Sequence, residues 1–386
     1  MDRFAKIRPY GDSEVRPVLD RLLRNSEFLA VVARLRFPRC GPRGARLLAP
    51  LVAWVLRRQL ADVNDVSAMQ WVLKPYLEKS LQRTTRGLTV SGLDRLRPGK
   101  PCLFISNHRD IAMDPALVDY ALASNGLDTV RIAIGDNLLT KDYASDLMRL
   151  NKSFIVERSA QGPRQMMAAL RLLSDYVRKS LLEDSCSVWI AQREGRAKDG
   201  FDRTEPAIIK MLSLSRKKKS EGFAEFVQLL NIVPVSISYE YDPLDEAKAG
   251  ELELIARTGA YEKGEQEDVR SIALGIAGYK GAVHVAFGEP IGVDCHSQEE
   301  VVEQIDHQII ANYVLHPSNY AAYRALFGRC PEGRVGAAHK PYVVAEHRAD
   351  DEQFEQRLSA MPSELRAYVL KMYANCILRK EELGLL

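Results

Sequence analysis

Between residues 88 and 292 the chain alternates between two kinds of segment, and this alternation restricts its fold more than any other feature. Leu88–Val90, Cys102–Ser106, Val130–Ile134, Ser153–Val156, Cys186–Ala191, Ile232–Tyr239 and Ala282–Phe287 are short runs rich in Val, Ile and Phe. Each is bounded by turn or charged residues, as buried strands are. Between them Pro115–Ala123, Arg164–Leu182, Glu205–Leu214 and Gly222–Leu230 place apolar residues at helical spacing. Strands that alternate with helices require a sheet covered on its faces. The expectation is an α/β fold with a mixed, largely parallel sheet of about seven strands flanked by helices. Leu252–Arg257 reads as a further edge strand.

The flanks are helical. Ser13–Arg24, Ser26–Leu35 and Pro50–Leu60 carry helical spacing, with Pro50 suited to a first turn where its missing N–H costs nothing. Gln298–Tyr313 and two helices within Asp351–Glu382 follow at the other end. This reading divides the chain into a helical region 1–87, an α/β domain 88–293 and a helical region 294–386.

Bulk properties exclude several classes. With 46% hydrophobic and 27% charged residues the chain can bury a core and is not disordered. A net charge of +3 is too small to argue for nucleic acid, and none is expected as a partner. The six cysteines, at 40, 102, 186, 295, 330 and 376, lack metal or redox spacing and read as reduced thiols. Cys102 and Cys186 read as small core residues. The histidines at 284, 296, 307, 316, 339 and 347 show no ligand spacing either, so no metal is expected. The N-terminal ten residues carry charges and Pro9 but no apolar run, so no secretory signal is expected. The longest apolar run, Leu47–Leu56, has ten residues, against the roughly 20 a spanning helix needs. Membrane contact would then be peripheral, and the helix carrying Trp54, Arg57 and Arg58 could lie in a bilayer interface or pack on the protein. The run Arg216–Lys219 could touch an anionic surface, a lipid head group or an acidic carrier protein, or be an exposed helix end.

Chemistry concentrates at Phe104-Ile-Ser-Asn-His-Arg-Asp-Ile-Ala-Met-Asp-Pro115. An apolar strand stops at Ser106, a polar cluster follows, and a helix begins near Pro115 with Asp114 expected as its N-cap. A histidine at a strand exit stands on a rigid scaffold. A carboxylate on one imidazole nitrogen leaves the other free to take a proton. Asp110 and Asp114 are both within reach of His108, and Asp114 is the favoured partner. Three later segments matter beside it: Phe154-Ile-Val-Glu-Arg158, Trp189-Ile-Ala-Gln-Arg-Glu-Gly-Arg-Ala-Lys-Asp-Gly200, and Ile232-Val-Pro-Val-Ser-Ile-Ser-Tyr239. Taken singly each is bland: a surface ion pair, a solvated loop, a proline at a sheet edge.

Taken together and in this order, they resemble the glycerolipid acyltransferases, the family of bacterial glycerol-3-phosphate and lysophosphatidate acyltransferases. That family has Asn-His followed by Asp, a strand ending in acid-Arg, a strand followed by Glu-Gly and Arg, and an apolar strand with a central Pro. The matching residues here are Asn107, His108 and Asp114; Glu157 and Arg158; Glu194, Gly195 and Arg196; and Val233-Pro234-Val235. The resemblance covers about residues 88–292. Two departures stand out. Five residues, not four, separate His108 from Asp114, and Gln192-Arg193 stands where an aromatic-Pro pair is usual.

The resemblance implies transfer of a fatty acyl group from acyl-CoA or acyl-carrier protein, as co-substrate, to the hydroxyl of glycerol-3-phosphate or lysophosphatidate, with no cofactor. His108 would be the catalytic base and Asp114 its orienting group. Asn107, Arg158, Glu194, Gly195, Arg196 and Lys198 would bind substrate, the cations holding the acceptor phosphate. Glu194 would position an arginine or the acceptor hydroxyl, and Gly195 would let backbone approach the substrate. The expected location is cytoplasmic, on the inner face of the cell membrane. Alternatives are a lyso-aminolipid acceptor and a non-catalytic lipid-binding scaffold on the same fold. A lipase-type hydrolase lacks support, because no Gly-x-Ser-x-Gly motif is present.

Overall fold

A computed structural model describes residues 2–37, 39, 41–217, 219–264, 267–292, 294–331 and 348–386. Cys40, Lys218, Val293, His339 and His347, which enter the sequence reading, lie outside the described residues. The chain forms two compact units, one of residues 1–79 with 130–176 and one of residues 80–129 with 177–386.

Seven strands occur among the described residues: β1 Thr85–Ser91, β2 Leu103–Ser106, β3 Arg131–Gly135, β4 Ser153–Val156, β5 Val188–Ala191, β6 Ile232–Tyr239 and β7 Gly281–Phe287. In the larger unit the order is β1-β7-β6-β2-β5. β1 runs parallel to β7, and β2 runs parallel to both β5 and β6, while β6 and β7 are antiparallel. In the smaller unit β3 and β4 pair in parallel. The fold is therefore α/β, and its pairing is mixed and largely parallel. Every residue of β2 and β6 is buried, which explains why both read as unbroken apolar runs rather than alternating ones.

Pro234 lies inside β6, not at a sheet edge. Its carbonyl accepts the amide of Gly288 at 2.8 Å, just past the end of β7. A strand residue's N–H and C=O point to the same side. The missing N–H therefore faces the place where the ladder has stopped, at the pair Val235–Phe287.

The expected edge strand Leu252–Arg257 is instead the second half of a helix, Asp245–Thr258. Three alternating apolar residues imitated a strand, but they follow Asp-Glu-Ala-Lys-Ala, and Leu, Glu and Ala are strong helix formers. The helix ends at Gly259 in the left-handed conformation. Pro50 likewise does not open its helix. Pro42 does, and Pro50 sits inside Pro42–Gln59 on its exposed side, where water can satisfy the carbonyl left without a partner.

The smaller unit packs helices Asp12–Leu22, Ser26–Arg36, Pro42–Gln59 and Asp142–Leu150, along with most of Val66–Thr84. Val15, Val18, Leu19 and Leu22 from the first meet Leu60, Val63, Met69 and Leu150 in one cluster. In the larger unit Ser363–Glu382 packs on Pro317–Phe327, burying Tyr320, Tyr323, Val369, Tyr373 and Ile377.

Candidate active site

β2 delivers His108 through a clamp made by its neighbour. The Asn107 side chain is fully buried. Its Oδ1 accepts the Ile237 amide at 2.8 Å and its Nδ2 donates to the Ile237 carbonyl at 2.9 Å. This amide mimics a strand partner for β6, so in this geometry Asn107 holds the scaffold and presents no polar group to a ligand. Ser106 Oγ accepts Trp189 Nε1 at 3.0 Å, and the Trp189 ring meets the His108 ring edge-on at 5.8 Å.

His108 pairs with Asp114. Nδ1 lies 2.8 Å from Asp114 Oδ2, and Asp114 is completely buried. The same oxygen accepts the amides of Arg109 at 2.6 Å and Asp110 at 2.9 Å, while Oδ1 accepts the Tyr239 hydroxyl at 2.7 Å. Two peptide N–H groups aimed at Oδ2 make that oxygen an acceptor, so Nδ1 carries the ring proton. Nε2 keeps its lone pair, and no described residue bonds it. The His108 side chain is 13% exposed, which leaves this nitrogen as the reactive edge. Burial first, then the Asp114 charge, pushes the Tyr239 hydroxyl well above the usual tyrosine range and keeps it a donor.

Asp114 does not cap the helix. Ala112 holds the N-cap position, and Asp110, two residues earlier, ties the entering turn: its Oδ1 accepts the amides of Ala112 at 3.0 Å and Met113 at 2.9 Å, at the start of Met113–Ser124. The residue that makes the His-to-Asp spacing five rather than four is absorbed in this turn. The chain from 109 to 112 wraps around the Asp114 carboxylate. Asp110 Oδ2 is buried without a partner among the described residues. Burial, then Asp114, raises the Asp110 carboxyl above its ordinary range. Asp110 is therefore excluded as the histidine's partner by geometry.

The loop after β5 is tied to the same strand end. Gln192 N donates to Ser106 O at 2.7 Å, and Ala197 N donates to His108 O at 2.9 Å. The second bond sets the Glu194–Lys198 loop directly beside the histidine. Gly195 takes φ +73°, open to glycine at little cost, and both it and Glu194 are exposed. Arg196 is partly exposed and lies 3.5 Å from Ser271 Oγ. Lys198 forms an ion pair with Glu251. Despite that pair its ammonium is pushed below the ordinary lysine range, first by burial, then by Arg196 and Lys263. Cationic charge is thus concentrated on this loop. Gln192, at the position departing from the family pattern, is fully buried and accepts from Thr204 Oγ1 at 3.4 Å. It braces the loop's base.

Arg158 belongs to the smaller unit. It is exposed beyond β4, with its guanidinium over Gly135. Of the other singled-out residues, Cys102 is buried and its thiol is pushed up to about 11 by burial. Cys186 is only half-buried, in the turn before β5, because that strand begins at Val188. His284 bonds Thr89 and Ser91 through its two nitrogens, at 2.7 and 2.9 Å. Arg216 lies over the Phe223 ring at 5.7 Å.

Sequence reasoning passed over three residues. Tyr239 ends β6 as His108 follows β2, and adjacent parallel strands bring their ends together. Arg109 turns inward beside His108. It bonds Gly200 O at 3.1 Å and Asp202 Oδ2 at 2.6 Å, anchoring the far end of the loop. Nothing local in the sequence distinguishes this buried arginine from an exposed one. Its partner Asp202 lies 93 residues away.

Residues 87–239 match a family model described as acyltransferase, a span that contains His108, Asp114, the loop and Tyr239. No curated protein matches the chain. Among solved structures it is similar to the 1-acyl-sn-glycerophosphate (LPA) acyltransferase PlsC from Thermotoga maritima. That likeness has 14% identity, covers 74% of this chain and 95% of that one, and has a TM-score of 0.41.

Proposed function

We propose, from the match of residues 87–239 to the acyltransferase family model, that the chain acylates a glycerol-phosphate hydroxyl from a fatty acyl thioester. The donor is acyl-CoA or acyl-carrier protein, and the acceptor is glycerol-3-phosphate or lysophosphatidate. The reaction serves phospholipid synthesis at the inner face of the cell membrane. The observation that carries the reading is a histidine whose Nδ1 is locked by a buried carboxylate and whose Nε2 is left unbonded beside a cationic loop.

A thioester is already activated, so no covalent enzyme intermediate is needed. His108 Nε2 takes the acceptor hydroxyl proton as the oxygen attacks the thioester carbonyl. The imidazolium so formed is stabilised by Asp114. As the tetrahedral intermediate collapses, the C–S bond breaks and Nε2–H returns its proton to the departing thiolate. Arg196, with its planar set of donors, binds the acceptor phosphate, and Lys198 adds positive charge. Asn107 acts by holding β2 to β6 rather than by touching substrate. Among the described residues no helix is long and apolar enough to cross a membrane.

The test is acyl transfer from labelled acyl-CoA and acyl-carrier protein to glycerol-3-phosphate, lysophosphatidate and a lyso-aminolipid. The His108→Ala protein serves as control. Turnover with a phosphorylated glycerol that falls by about 10²–10⁴-fold in the variant supports the proposal. Full activity in a folded His108→Ala protein would overturn it.

A further inference from the structure

Both peptide amides that hold Asp114 are themselves held on their carbonyl side. The N–H groups of Arg109 and Asp110 donate to Asp114 Oδ2 at 2.6 and 2.9 Å. The first belongs to the peptide with the His108 carbonyl, which accepts Ala197 N at 2.9 Å. The second belongs to the peptide with the Arg109 carbonyl, which accepts Lys248 Nζ at 2.7 Å. In a planar trans peptide the C=O and N–H point in opposite directions, so a donor that fixes the oxygen also aims the N–H. A continuous chain therefore runs from the Lys248 ammonium through the Arg109–Asp110 peptide to Asp114 and on to His108 Nδ1.

Lysine is rarely buried this deeply. The Lys248 side chain is 2% exposed, and its other contact is an ion pair with Asp242. Burial acts to raise the Asp242 carboxyl, but the Lys248 ammonium and the Leu244 amide together hold it below its ordinary range. A buried pair of this kind adds little net stability over apolar side chains of similar size. An apolar side chain, however, could not donate to the Arg109 carbonyl. The helix that carries Lys248, Asp245–Thr258, is fixed at its first residue. Asp245 Oδ2 accepts Arg357 Nε and the Tyr373 hydroxyl, both at 2.8 Å, and Oδ1 accepts Arg357 Nη2 at 2.7 Å. One turn beyond Lys248, Glu251 pairs with Lys198 of the cationic loop. The ammonium is thus delivered from a braced element, and it lies beyond the residues 87–239 that the family model matches.

We propose that Lys248 is a positioning residue for the His108–Asp114 pair, acting through the Arg109–Asp110 peptide. It fixes the plane of that peptide and draws electron density toward its oxygen, which strengthens the Asp110 N–H as a donor to Asp114. Asp114 then stays turned toward Nδ1 while the imidazolium forms. The inference rests on the proposed acyl transfer, so its test includes a readout that needs no turnover.

Lys248→Met keeps the reach of the side chain and removes its donor. It leaves Asp242 buried without its cation, so the melting temperature should fall. Adding Asp242→Asn removes that charge and should restore most of the melting temperature. In both variants kcat for acyl transfer should be about 10-fold down, with KM for donor and acceptor unchanged. In NMR spectra of protein labelled with 15N-aspartate, the Asp110 amide is assigned by its loss in Asp110→Asn. Its proton should move upfield in both Lys248 variants. A kcat that returns with the melting temperature, or never falls, would overturn the proposal, since the lysine would then serve only stability. So would an Asp110 amide that keeps its shift in the folded double variant. If the unaltered protein transfers no acyl group, the proposed reaction fails, and the amide shift still decides whether Lys248 sets the peptide.

Discussion

Asp114→Asn separates charge from geometry at the site, because the structure dictates how the amide must sit. At the Oδ2 position two peptide N–H groups, of Arg109 and Asp110, converge at 2.6 and 2.9 Å. An NH₂ group there would face two donors and leave both buried amides unbonded, at about 1–3 kcal/mol each. The amide oxygen therefore occupies that position, and the NH₂ group donates to the Tyr239 oxygen, whose hydroxyl can rotate. His108 Nδ1–H keeps an acceptor, and the tautomer survives. What is lost is the negative charge facing the imidazolium in the transition state. Exchanging a charged for a neutral hydrogen bond costs about 1.5 kcal/mol. A full Coulomb loss at about 4 Å and an effective dielectric near 20 costs about 4 kcal/mol. kcat should therefore fall between about 10- and 10³-fold. Tautomer inversion in comparable triads costs about 10⁴-fold. The assay is thiol release from acyl-CoA at saturating acceptor, with thermal melting as the folding control. A loss of about 10⁴-fold or more would refute the claim that the two peptide amides fix the side chain. A loss under about threefold would refute the role of Asp114 itself.

Three further outcomes follow from the geometry. Arg196→Ala should raise KM for a phosphorylated acceptor by about 10- to 100-fold while leaving KM for the donor unchanged, read from initial rates with each substrate varied. Gly200 has φ +74°, and an added Cβ would lie 1.9 Å from Met372 O, so Gly200→Ala should lower the melting temperature by several degrees and displace the loop from the C-terminal helix. His316 is buried and its imidazole is pushed down from 6.5 to about 3, mainly by burial. Its folded form binds its proton later than the unfolded form does, so stability falls as the pH drops below 6.5 and reaches its full loss near pH 3. Between neutrality and about pH 5 this group alone removes about 2 kcal/mol, and His316→Gln should flatten that part of a urea-unfolding pH series.

The sequence by itself determined the elements and where chemistry starts. The strand ranges were legible because β2 and β6 are buried on both faces, so hydrophobicity alone marks them. His108 was legible because a polar cluster follows an apolar run within a few residues. Periodicity failed where it was short. Leu252–Arg257 alternates for too few residues to outweigh the helix propensity of what precedes it, and Pro50 suits a first turn because its missing N–H costs nothing there, yet the helix opens at Pro42.

Tertiary structure decided what long-range contacts alone can decide. It chose Asp114 over Asp110, because Tyr239, 125 residues away, and two peptide amides converge on Asp114 while Asp110 is turned to the amides of Ala112 and Met113. It turned Asn107 into a clamp on β6 and Arg109 into a buried anchor, although both stand beside His108 in the chain. A side chain's task depends on which groups reach it in space. Sequence separation carries no information about that until the strands are placed side by side.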